Sequence, residues 1–443
     1  MGKYLRHPAR IVPLGFLGVV LTGTALLLTP AATEGPQSAP FITALFTATS
    51  ATCITGLAVV DTSGYWSTFG EMTIVVLIQA GGFGIMTMAS LLALVVAGRL
   101  GLRTRMAAQV ESKSLGLGDI RRVVRRVAIL SLSVEFTLAC ILFARLRFGY
   151  GYEIDDAVWN GVFHAVSAFN NAGFALYPDS LEGFVTDPVV LLPVAVAVIL
   201  GGLGTPVLVD VARRLRTPRR WTLHTKLTLL GTAVLLPIGF FAYLVFEWSN
   251  AQTLGGLGLG DKLAAAFFSG AMPRSAGLNA IPISDITSET QLVTIILMFI
   301  GGGSASTAGG IKLTTFLLLA FVIWTELRGE PDVSIFGRTI APASQRQALT
   351  VALLGVAAVV VGTLALEMTG DFPLNTVIFE AASAFGPVGL SMGITPELST
   401  PGQAVLVVLM FTGRVGTVVV GTALALSTRH RRYSYPVDRP IVG

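Results

Sequence analysis

Long apolar runs separated by short polar loops dominate this chain of 443 residues. Eight of the runs have about the 20 residues that an α-helix needs to cross the hydrocarbon core of a bilayer. These predicted spans cover residues 11–30, 73–97, 127–148, 189–211, 225–246, 292–319, 348–367 and 404–426. The first run follows basic residues, as a cleavable signal does, but its length and the lack of a clear small-residue cleavage site favour a span.

Four further apolar stretches are too short to cross a bilayer, and each lies between two predicted spans. They cover residues 41–52, 157–169, 262–272 and 375–385. At roughly 1.5 Å per residue, a helix of this length reaches about halfway through the hydrocarbon. The pattern predicts an all-α polytopic membrane protein with eight transmembrane helices and four half-helices.

The composition excludes a soluble protein. Hydrophobic residues make up 53% of the chain and charged residues 12%, with a mean hydropathy of +0.74, whereas soluble domains carry about 25% charged residues. The four histidines form no metal-binding spacing and no nucleophile motif is present, so the sequence does not indicate an enzyme. Cys53 and Cys140 have no zinc-type spacing, and we expect both to be reduced and packed.

The positive charges fall in alternate loops. Of the 30 Lys and Arg residues, all but Arg145, Arg147, Lys262, Arg274, Lys312 and Arg414 lie at the two termini or in residues 99–126, 213–226 and 328–346. The positive-inside rule makes these segments and both termini cytoplasmic. The net charge of +5 therefore reflects topology and gives no reason to expect a nucleic-acid partner. The other loops are acidic, either to gather cations or only because loops are polar.

The four short stretches share one motif. In each, a Phe stands ten residues before a Gly that is followed by Leu or Phe. The pairs are Phe46 and Gly56, Phe163 and Gly173, Phe267 and Gly277, and Phe379 and Gly389. Two crossings per copy return the chain to the same side, so the repeats are parallel and can surround one pseudo-fourfold axis. We assign them to residues 1–98, 99–214, 215–328 and 329–430, followed by a cytoplasmic tail at 431–443.

Elementary physics indicates what such a pore conducts. A half-helix that enters from outside directs its C-terminal carbonyls, with about half a negative charge, toward the centre of the membrane, which favours a cation. The loop that follows can line the axis with carbonyls that replace an ion's hydration shell, and glycine permits the positive φ angles required. Alternatively, a glycine in an apolar stretch marks close helix packing. The predicted K+ filter comprises Ile54, Thr55, Gly56, Asn171, Ala172, Gly173, Ser275, Ala276, Gly277, Pro387, Val388 and Gly389.

These residues resemble the filters of the Trk/Ktr/HKT superfamily of potassium transporters, and the resemblance extends over essentially the whole chain. The segments that carry it are Thr55-Gly56-Leu57, Asn170-Asn171-Ala172-Gly173-Phe174, Arg274-Ser275-Ala276-Gly277-Leu278-Asn279 and Phe385-Gly386-Pro387-Val388-Gly389-Leu390-Ser391. The lack of an extra N-terminal hairpin makes the chain most similar to the Ktr membrane subunits. Cys53 and Pro387 depart from the small residues expected beside the filter.

The resemblance implies potassium-selective uptake across the bacterial cytoplasmic (inner) membrane, since four filter glycines accompany potassium preference in this family. It also implies a homodimer surrounded by membrane lipid, with one pore per chain and a soluble ring of nucleotide-binding RCK-type regulatory subunits on the cytoplasmic face. K+ is then the transported ion, and Na+ is a candidate activator. The alternatives are a less selective Na+/K+ pathway, an ion-coupled secondary transporter, for which inverted repeats would be typical, and a receptor or scaffold without flux.

A glycine-rich stretch interrupts the predicted span at 292–319. Each glycine costs a helix about 1 kcal/mol relative to alanine, so this stretch predicts an unwound loop, with a packing kink as the alternative. Arg414 lies at a similar predicted depth and requires water or a polar partner, either carbonyls of this loop or a buried acid such as Glu135. The resemblance implies that the loop is a gate. The predicted gating residues are Gly301, Gly302, Gly303, Ser304, Ala305, Ser306, Thr307, Ala308, Gly309, Gly310, Lys312 and Arg414.

Four other polar residues lie in or near apolar segments. Glu135 and Glu380 are interpreted as structural anchors and His164 as a packing residue of its half-helix. Lys312 either extends toward the cytoplasm or binds the glycine-rich loop, and the sequence leaves both possibilities open.

Overall fold

The computed structural model describes residues 8–99 and 117–416, with side chains at 12–87 and 123–416, and it is mostly helical. By length and composition, four helical segments within these residues can cross a membrane. They are Thr68–Thr87, Val123–Gly149, Leu223–Phe246 and Pro342–Glu367. A bent helix pair gives a fifth if it counts as one span. The basic residues Lys3 and Arg6, most of the predicted loop at 99–126 and the predicted tail at 431–443 lie outside the described residues.

The helices follow the predicted order of long and short apolar segments. They are α1 Pro8–Leu27, α2 Phe41–Cys53, α3 Thr62–Tyr65, α4 Thr68–Arg99, α5 Leu117–Gly149, α6 Ile154–Asn170, α7 Pro188–Leu203, α8 Thr205–Arg213, α9 Leu223–Phe246, α10 Leu259–Ala271, α11 Ser288–Ile300, α12 Leu313–Leu327, α13 Pro342–Glu367, α14 Leu374–Phe385 and α15 Thr400–Phe411. A two-stranded antiparallel hairpin, β1 Ser334–Ile335 and β2 Arg338–Thr339, lies between α12 and α13. The four short segments of the sequence motif correspond to α2, α6, α10 and α14.

The predicted span over residues 189–211 is bent into two helices. The chain turns by 95° between α7 and α8. Gly204, at the turn, has φ +85°, and Pro206 stands at the start of α8. Proline has no N–H to continue the preceding helix and favours the first turn of a new one. As a result, α8 crosses the direction of α7 instead of extending it.

The predicted span over residues 292–319 is not one helix either. α11 ends at Ile300, α12 begins at Leu313, and residues 301–312 form an irregular segment, called here the central loop. Gly301, Ala305, Gly310 and Lys312 all have positive φ angles. The unwound conformation agrees with the glycine content of this stretch.

The last predicted span is described only in part, and one cysteine differs from expectation. After α15 the backbone forms a π-helical turn at Thr412–Gly416, and the rest of the predicted span at 404–426 lies outside the described residues. Cys53 is buried, whereas Cys140 is exposed on α5. The prediction that Cys140 is packed is therefore wrong. On a membrane protein, an apolar outer surface accommodates a thiol as well as a packed core does.

The short helices form the centre of the molecule and the long helices surround them. Phe46, Phe163 and Phe379 of the sequence motif have no exposed surface. In the third copy Phe267 is only partly buried, and its neighbour Phe268 takes the fully buried position. By contrast, many large apolar side chains on the long helices are exposed, and Phe136 on α5 is 72% exposed. An apolar exterior around a packed centre is what a bilayer solvent favours.

Candidate ion-conducting site

The four glycines of the motif meet at the centre of the molecule and form a ring. Their φ angles are +94° at Gly56, +75° at Gly173, +63° at Gly277 and +98° at Gly389. A Cβ added to Gly173 would lie 3.2 Å from the Cα atoms of both Gly56 and Gly277. Added to Gly389, it would lie 3.0 Å from the Cα of Gly56. The four segments therefore follow one another around the ring in chain order.

Backbone carbonyls accompany each glycine of this ring. A Cβ on Gly56 would lie 2.5 Å from the carbonyl oxygen of Ala172, and one on Gly173 would lie 3.0 Å from that of Ala276. A Cβ on Gly277 would collide with the carbonyl oxygen of Val388, and one on Gly389 with that of Thr55. Both the positive φ angles and the space exclude side chains here. Only glycine leaves room for four carbonyl-bearing segments to approach so closely.

A cavity of about 350 Å³, called here the outer cavity, lies above the ring, and all four glycines line it. Asp61 and Asn279 also line this cavity. Asn279 donates a hydrogen bond of 2.7 Å to Glu182. Burial, together with the nearby Asp179, raises the pKa of the Glu182 carboxyl. The cavity thus opens onto polar and acidic groups, which favour a cation over an anion.

Three of the four predicted filter segments are held by a serine of their own short helix. Gly56 N–H donates to the Ser50 hydroxyl at 3.0 Å, and Gly389 N–H donates to that of Ser383 at 3.1 Å. Ser50 and Ser167 in turn donate to the carbonyls of Leu57 and Phe174, at 2.7 and 2.6 Å. Each serine stands four residues after the motif Phe. These bonds fix where the chain reverses and runs back outward.

The third segment is held differently, because Ala271 occupies the serine position. The chain leaves α10 through a 3-10 turn at Met272–Arg274, and Ser275 follows with φ +112°. The Ser275 hydroxyl donates to the carbonyl of Pro387 in the fourth segment at 2.9 Å and accepts from Gly309 N–H at 2.7 Å. This filter segment is therefore tied to a neighbouring segment and to the central loop.

The central loop lies against the inner ends of the short helices. Gly303 N–H donates to the Gly202 carbonyl at 2.9 Å, and the Thr307 hydroxyl donates to the Phe169 carbonyl at the end of α6 at 3.3 Å. A Cβ on Gly309 would collide with the carbonyl of Gly386, which directly follows α14. Most of the loop is buried. It thus contacts elements of the second and fourth predicted repeats as well as its own.

Two cations contact the carbonyls of this loop. Arg414, only 2% exposed in the π-helical turn, donates to the Thr307 carbonyl, and the Lys312 ammonium donates to that of Ala308. The alternative that Arg414 pairs with Glu135 is therefore wrong. Glu135 instead accepts hydrogen bonds from Ser131, Gln79 and Asn170. Of the two possibilities for Lys312, the structure shows binding to the loop and not extension toward the cytoplasm.

Glu380 is a structural anchor and His164 is a buried residue of its half-helix, as the sequence predicted. Glu380 accepts from Met392 N–H and from the Thr395 hydroxyl, both at 3.0 Å, so it holds the segment that follows the fourth glycine. His164 contacts the Asn160 carbonyl through Nδ1 at 2.8 Å and accepts from Leu176 N–H at 3.2 Å.

Arg274 is a buried cation whose contact the sequence analysis missed. It is 6% exposed, lies between α10 and Ser275 and donates to Thr232 on α9 at 3.1 Å. The sequence did show that Arg274 lies outside the basic loops, and this position was the signal that it needs a polar partner.

Comparisons with known proteins agree with this arrangement. The sequence matches the TrkH family, described as cation transport proteins, over residues 9–430. It is 41% identical over 442 residues to the Ktr system potassium uptake protein B of Bacillus subtilis (strain 168), covering 100% of this chain and 98% of that protein. It is 36% identical to the Ktr system potassium uptake protein B of Vibrio alginolyticus, covering 98% of this chain and 94% of that protein.

A solved structure supports the fold. The potassium transporter TrkH from Vibrio parahaemolyticus superposes with a TM-score of 0.70 over 94% of this chain and 85% of that one, at 20% identity. These matches place the chain among ion transporters, as the sequence predicted, and not among enzymes. The chain belongs to the TrkH family of cation transport proteins.

Proposed function

We propose that this protein takes up K+ through a single pore whose selectivity filter is the ring of Gly56, Gly173, Gly277 and Gly389. The observation that carries the proposal is the closed ring itself, in which four segments with positive φ bring their carbonyls together. Carbonyl oxygens arranged in this way replace the hydration shell of a dehydrated K+ ion. Both bacterial relatives described above are named as potassium uptake proteins.

The surrounding helices complete this pathway. Eight spans in four parallel repeats would place α2, α6, α10 and α14 with their C-terminal carbonyls directed at the membrane centre. Their dipoles stabilise a cation on the inner side of the filter. The acidic side chains near the outer cavity raise the local K+ concentration at its entrance. Irregular backbone at this depth is stable because it lines the pathway or is packed in protein.

The central loop is the gate in this proposal. It lies beneath the ring and bonds to the second and third repeats, and Arg414 bonds to Thr307 at its middle. The Nε and Nη2 atoms of Arg414 have no hydrogen-bond partner among the described residues. Its charge then opposes cation passage while the loop is closed.

Regulation from the cytoplasmic side is part of the same proposal. Both Ktr relatives are named as parts of a system. This naming supports a separate regulatory partner, here a ring of nucleotide-binding RCK-type subunits on the basic inner face of a homodimer. Activation by Na+ is included in the proposal only because the sequence resembles this family.

Rubidium uptake and potassium-limited growth test the filter. A bacterial strain without its own potassium uptake systems would express the parent chain or its Gly56→Asp variant, together with the soluble partner. We expect rescue by the parent and none by the variant. The variant places a side chain where φ is +94° and the Ala172 carbonyl is 2.5 Å away.

Matched expression in the membrane fraction, measured by immunoblot, is the control. A Gly393→Ala variant is a second control, since Gly393 also has positive φ but has open space beside it and lies outside the ring. Equal rescue by the Gly56→Asp variant would contradict the filter assignment.

A further inference from the structure

A second cavity, called here the basic cavity, lies at the opposite end of the spans from the outer cavity. Its volume is about 330 Å³, and it lies between the start of α5 and the helix α8. From the cavity, α5 extends for roughly 40 Å at 1.5 Å per residue and ends at Gly149. That end lies beside the contact between the Tyr150 and Phe184 rings, on the predicted outer side of the membrane. The basic cavity is thus at the predicted cytoplasmic surface of the membrane.

The walls of the basic cavity are apolar and its rim is cationic. Val127 and Val209 line it from the two helices, and Arg126, Arg213 and Arg214 stand around it. Asp210, the one carboxylate among the described residues that line it, is already engaged. It pairs with Arg214 at 3.4 Å and accepts from Thr222 N–H at 2.9 Å and from the Thr225 hydroxyl at 2.7 Å.

Arg126 and Arg213 therefore supply unneutralised positive charge. Within the described residues neither makes an ion pair, and both are exposed. Two guanidinium groups beside an apolar wall at a membrane surface match one chemistry, a phosphate that carries acyl chains. Guanidinium donors bind phosphate oxygens bidentately, and basic pockets between helices on the cytoplasmic side hold anionic head groups.

Exposed apolar surface begins one helical turn beyond Arg126, on the face of α5 turned away from Val127. Farther along α5, Ile129, Leu132 and Phe136 are 58%, 56% and 72% exposed. They form a strip along the helix on the side that faces lipid.

We infer that the basic cavity binds the head group of an anionic glycerophospholipid of the inner leaflet, with Arg126 and Arg213 as the residues that hold its phosphate. Such a lipid would also reach the gate. α8 starts at the Gly204 bend, where a Cβ would lie 2.8 Å from the Ala305 carbonyl of the central loop, and Gly202 accepts the bond from Gly303. A lipid that fixes α8 therefore fixes one support of the loop. Binding is independent of the proposed potassium function, whereas this effect on flux rests on it.

Native mass spectrometry of the full chain in nanodiscs tests binding. The discs would contain equal amounts of phosphatidylglycerol and phosphatidylcholine. We compare the parent with the double variant Arg126→Gln/Arg213→Gln and with a control, Arg219→Gln/Arg328→Gln, which removes the same charge from exposed residues that do not line the cavity. We expect the cavity variant to retain roughly 25-fold less phosphatidylglycerol than the parent, because each of the two basic residues contributes about a factor of five near an anionic surface.

Several outcomes decide the inference. Equal retention by the parent and the cavity variant, or an equal loss in the control, would overturn it. Displacement of the lipid by millimolar glycerol phosphate would also overturn it, because the site would then be one for soluble anions. A cavity variant that keeps its lipid but loses the soluble regulatory partner in a pull-down would assign the surface to protein docking instead.

Rubidium flux into vesicles separates this inference from the proposed function. Phosphatidylglycerol is expected to change the flux of the parent and the control by several-fold, with no such response in the cavity variant. A parent that binds lipid but conducts no rubidium would refute the potassium function and leave the lipid site standing.

Discussion

The third filter segment differs from the other three in what holds it. In the first, second and fourth segments the bonds come from Ser50, Ser167 and Ser383, so each segment is attached to its own short helix. In the third segment Ser275 reaches the fourth segment and the central loop. Three segments of the ring thus have a serine bond to their own short helix, whereas the serine of the third segment bonds to its neighbours.

This difference indicates a division of labour within one ring. A segment attached to its own buried helix has one anchor that does not involve the loop. A segment that shares a hydroxyl with Gly309 of the loop responds when the loop moves. We therefore expect changes at the serines of the three fixed segments to alter ion preference, and changes around Ser275 to alter the rate of flux.

The largest effect should come from shortening residues 301–310, which removes the loop partner of Ser275 and most of the proposed gate. We expect rubidium flux to rise roughly tenfold or more, with the K+/Na+ preference unchanged because three segments keep their own serines. Flux into vesicles of purified protein measures both quantities. Deletion of Phe336–Gly337, an exposed turn between β1 and β2, is the control. Unaltered flux in the loop deletion would remove the gate assignment.

Arg414→Ala should have a smaller effect of the same kind. It removes one charge-assisted bond to Thr307, and such bonds contribute about 1.5–3 kcal/mol, so flux should rise by about tenfold at most if part of that energy holds the gate closed. Vesicle flux at equal protein density measures the change. Arg328→Ala, at an exposed residue with a 3.9 Å ion pair, controls for loss of a cationic side chain. A rate equal to that of the parent would eliminate the barrier role.

A pair of serine variants tests the comparison itself. Ser275→Ala should raise flux a few-fold and leave ion preference intact, since it frees Gly309 from the filter. Ser50→Ala should lower K+ preference over Na+ by a similar factor and leave gating intact, since Gly56 N–H then loses its acceptor. Each lost bond corresponds to about 1 kcal/mol. Competitive uptake of the two ions separates rate from preference, and an identical phenotype for the two variants would contradict the division of labour.

Ala271→Ser should have the smallest effect. It restores the serine of the other segments, but the 3-10 turn at Met272–Arg274 directs the third segment away from that position. We expect uptake within about twofold of the parent and a change in stability of about 1 kcal/mol or less, measured by thermal unfolding in detergent. Rescue of the Ser275→Ala variant by this second substitution would show that the two modes of attachment are interchangeable.

Much of this arrangement is readable from the sequence because two signals are strong. Apolar runs of spanning length give the helices, and the ten-residue spacing from Phe to Gly gives the four segments that meet at the ring. At the ring, the positive φ angles and the lack of space permit only glycine, so the four glycine positions can be recognised from a single sequence. The unwound central loop follows from the glycine content of residues 301–310 for the same reason.

Other features could not be predicted because they depend on contacts between distant residues. The cross-bond from Ser275 to Pro387 joins residues in different repeats, and nothing local distinguishes this serine from one that caps a helix. The 95° bend at Gly204 required knowing that Thr205-Pro206 would start a new helix instead of kinking the old one. The exposure of Cys140 reflects that a membrane exterior accepts the same residues as a core.

The ring in chain order has a genetic consequence. In a pore assembled from four identical subunits, any substitution appears four times, so a change that benefits one quarter is imposed on all. Here the four segments are encoded separately, and a single codon change alters one of them. Ala271 is such a difference: the third position carries no hydroxyl, whereas the other three positions carry Ser50, Ser167 and Ser383. Joining the repeats in one polypeptide thus allows selection to give one segment a different role without disturbing the rest.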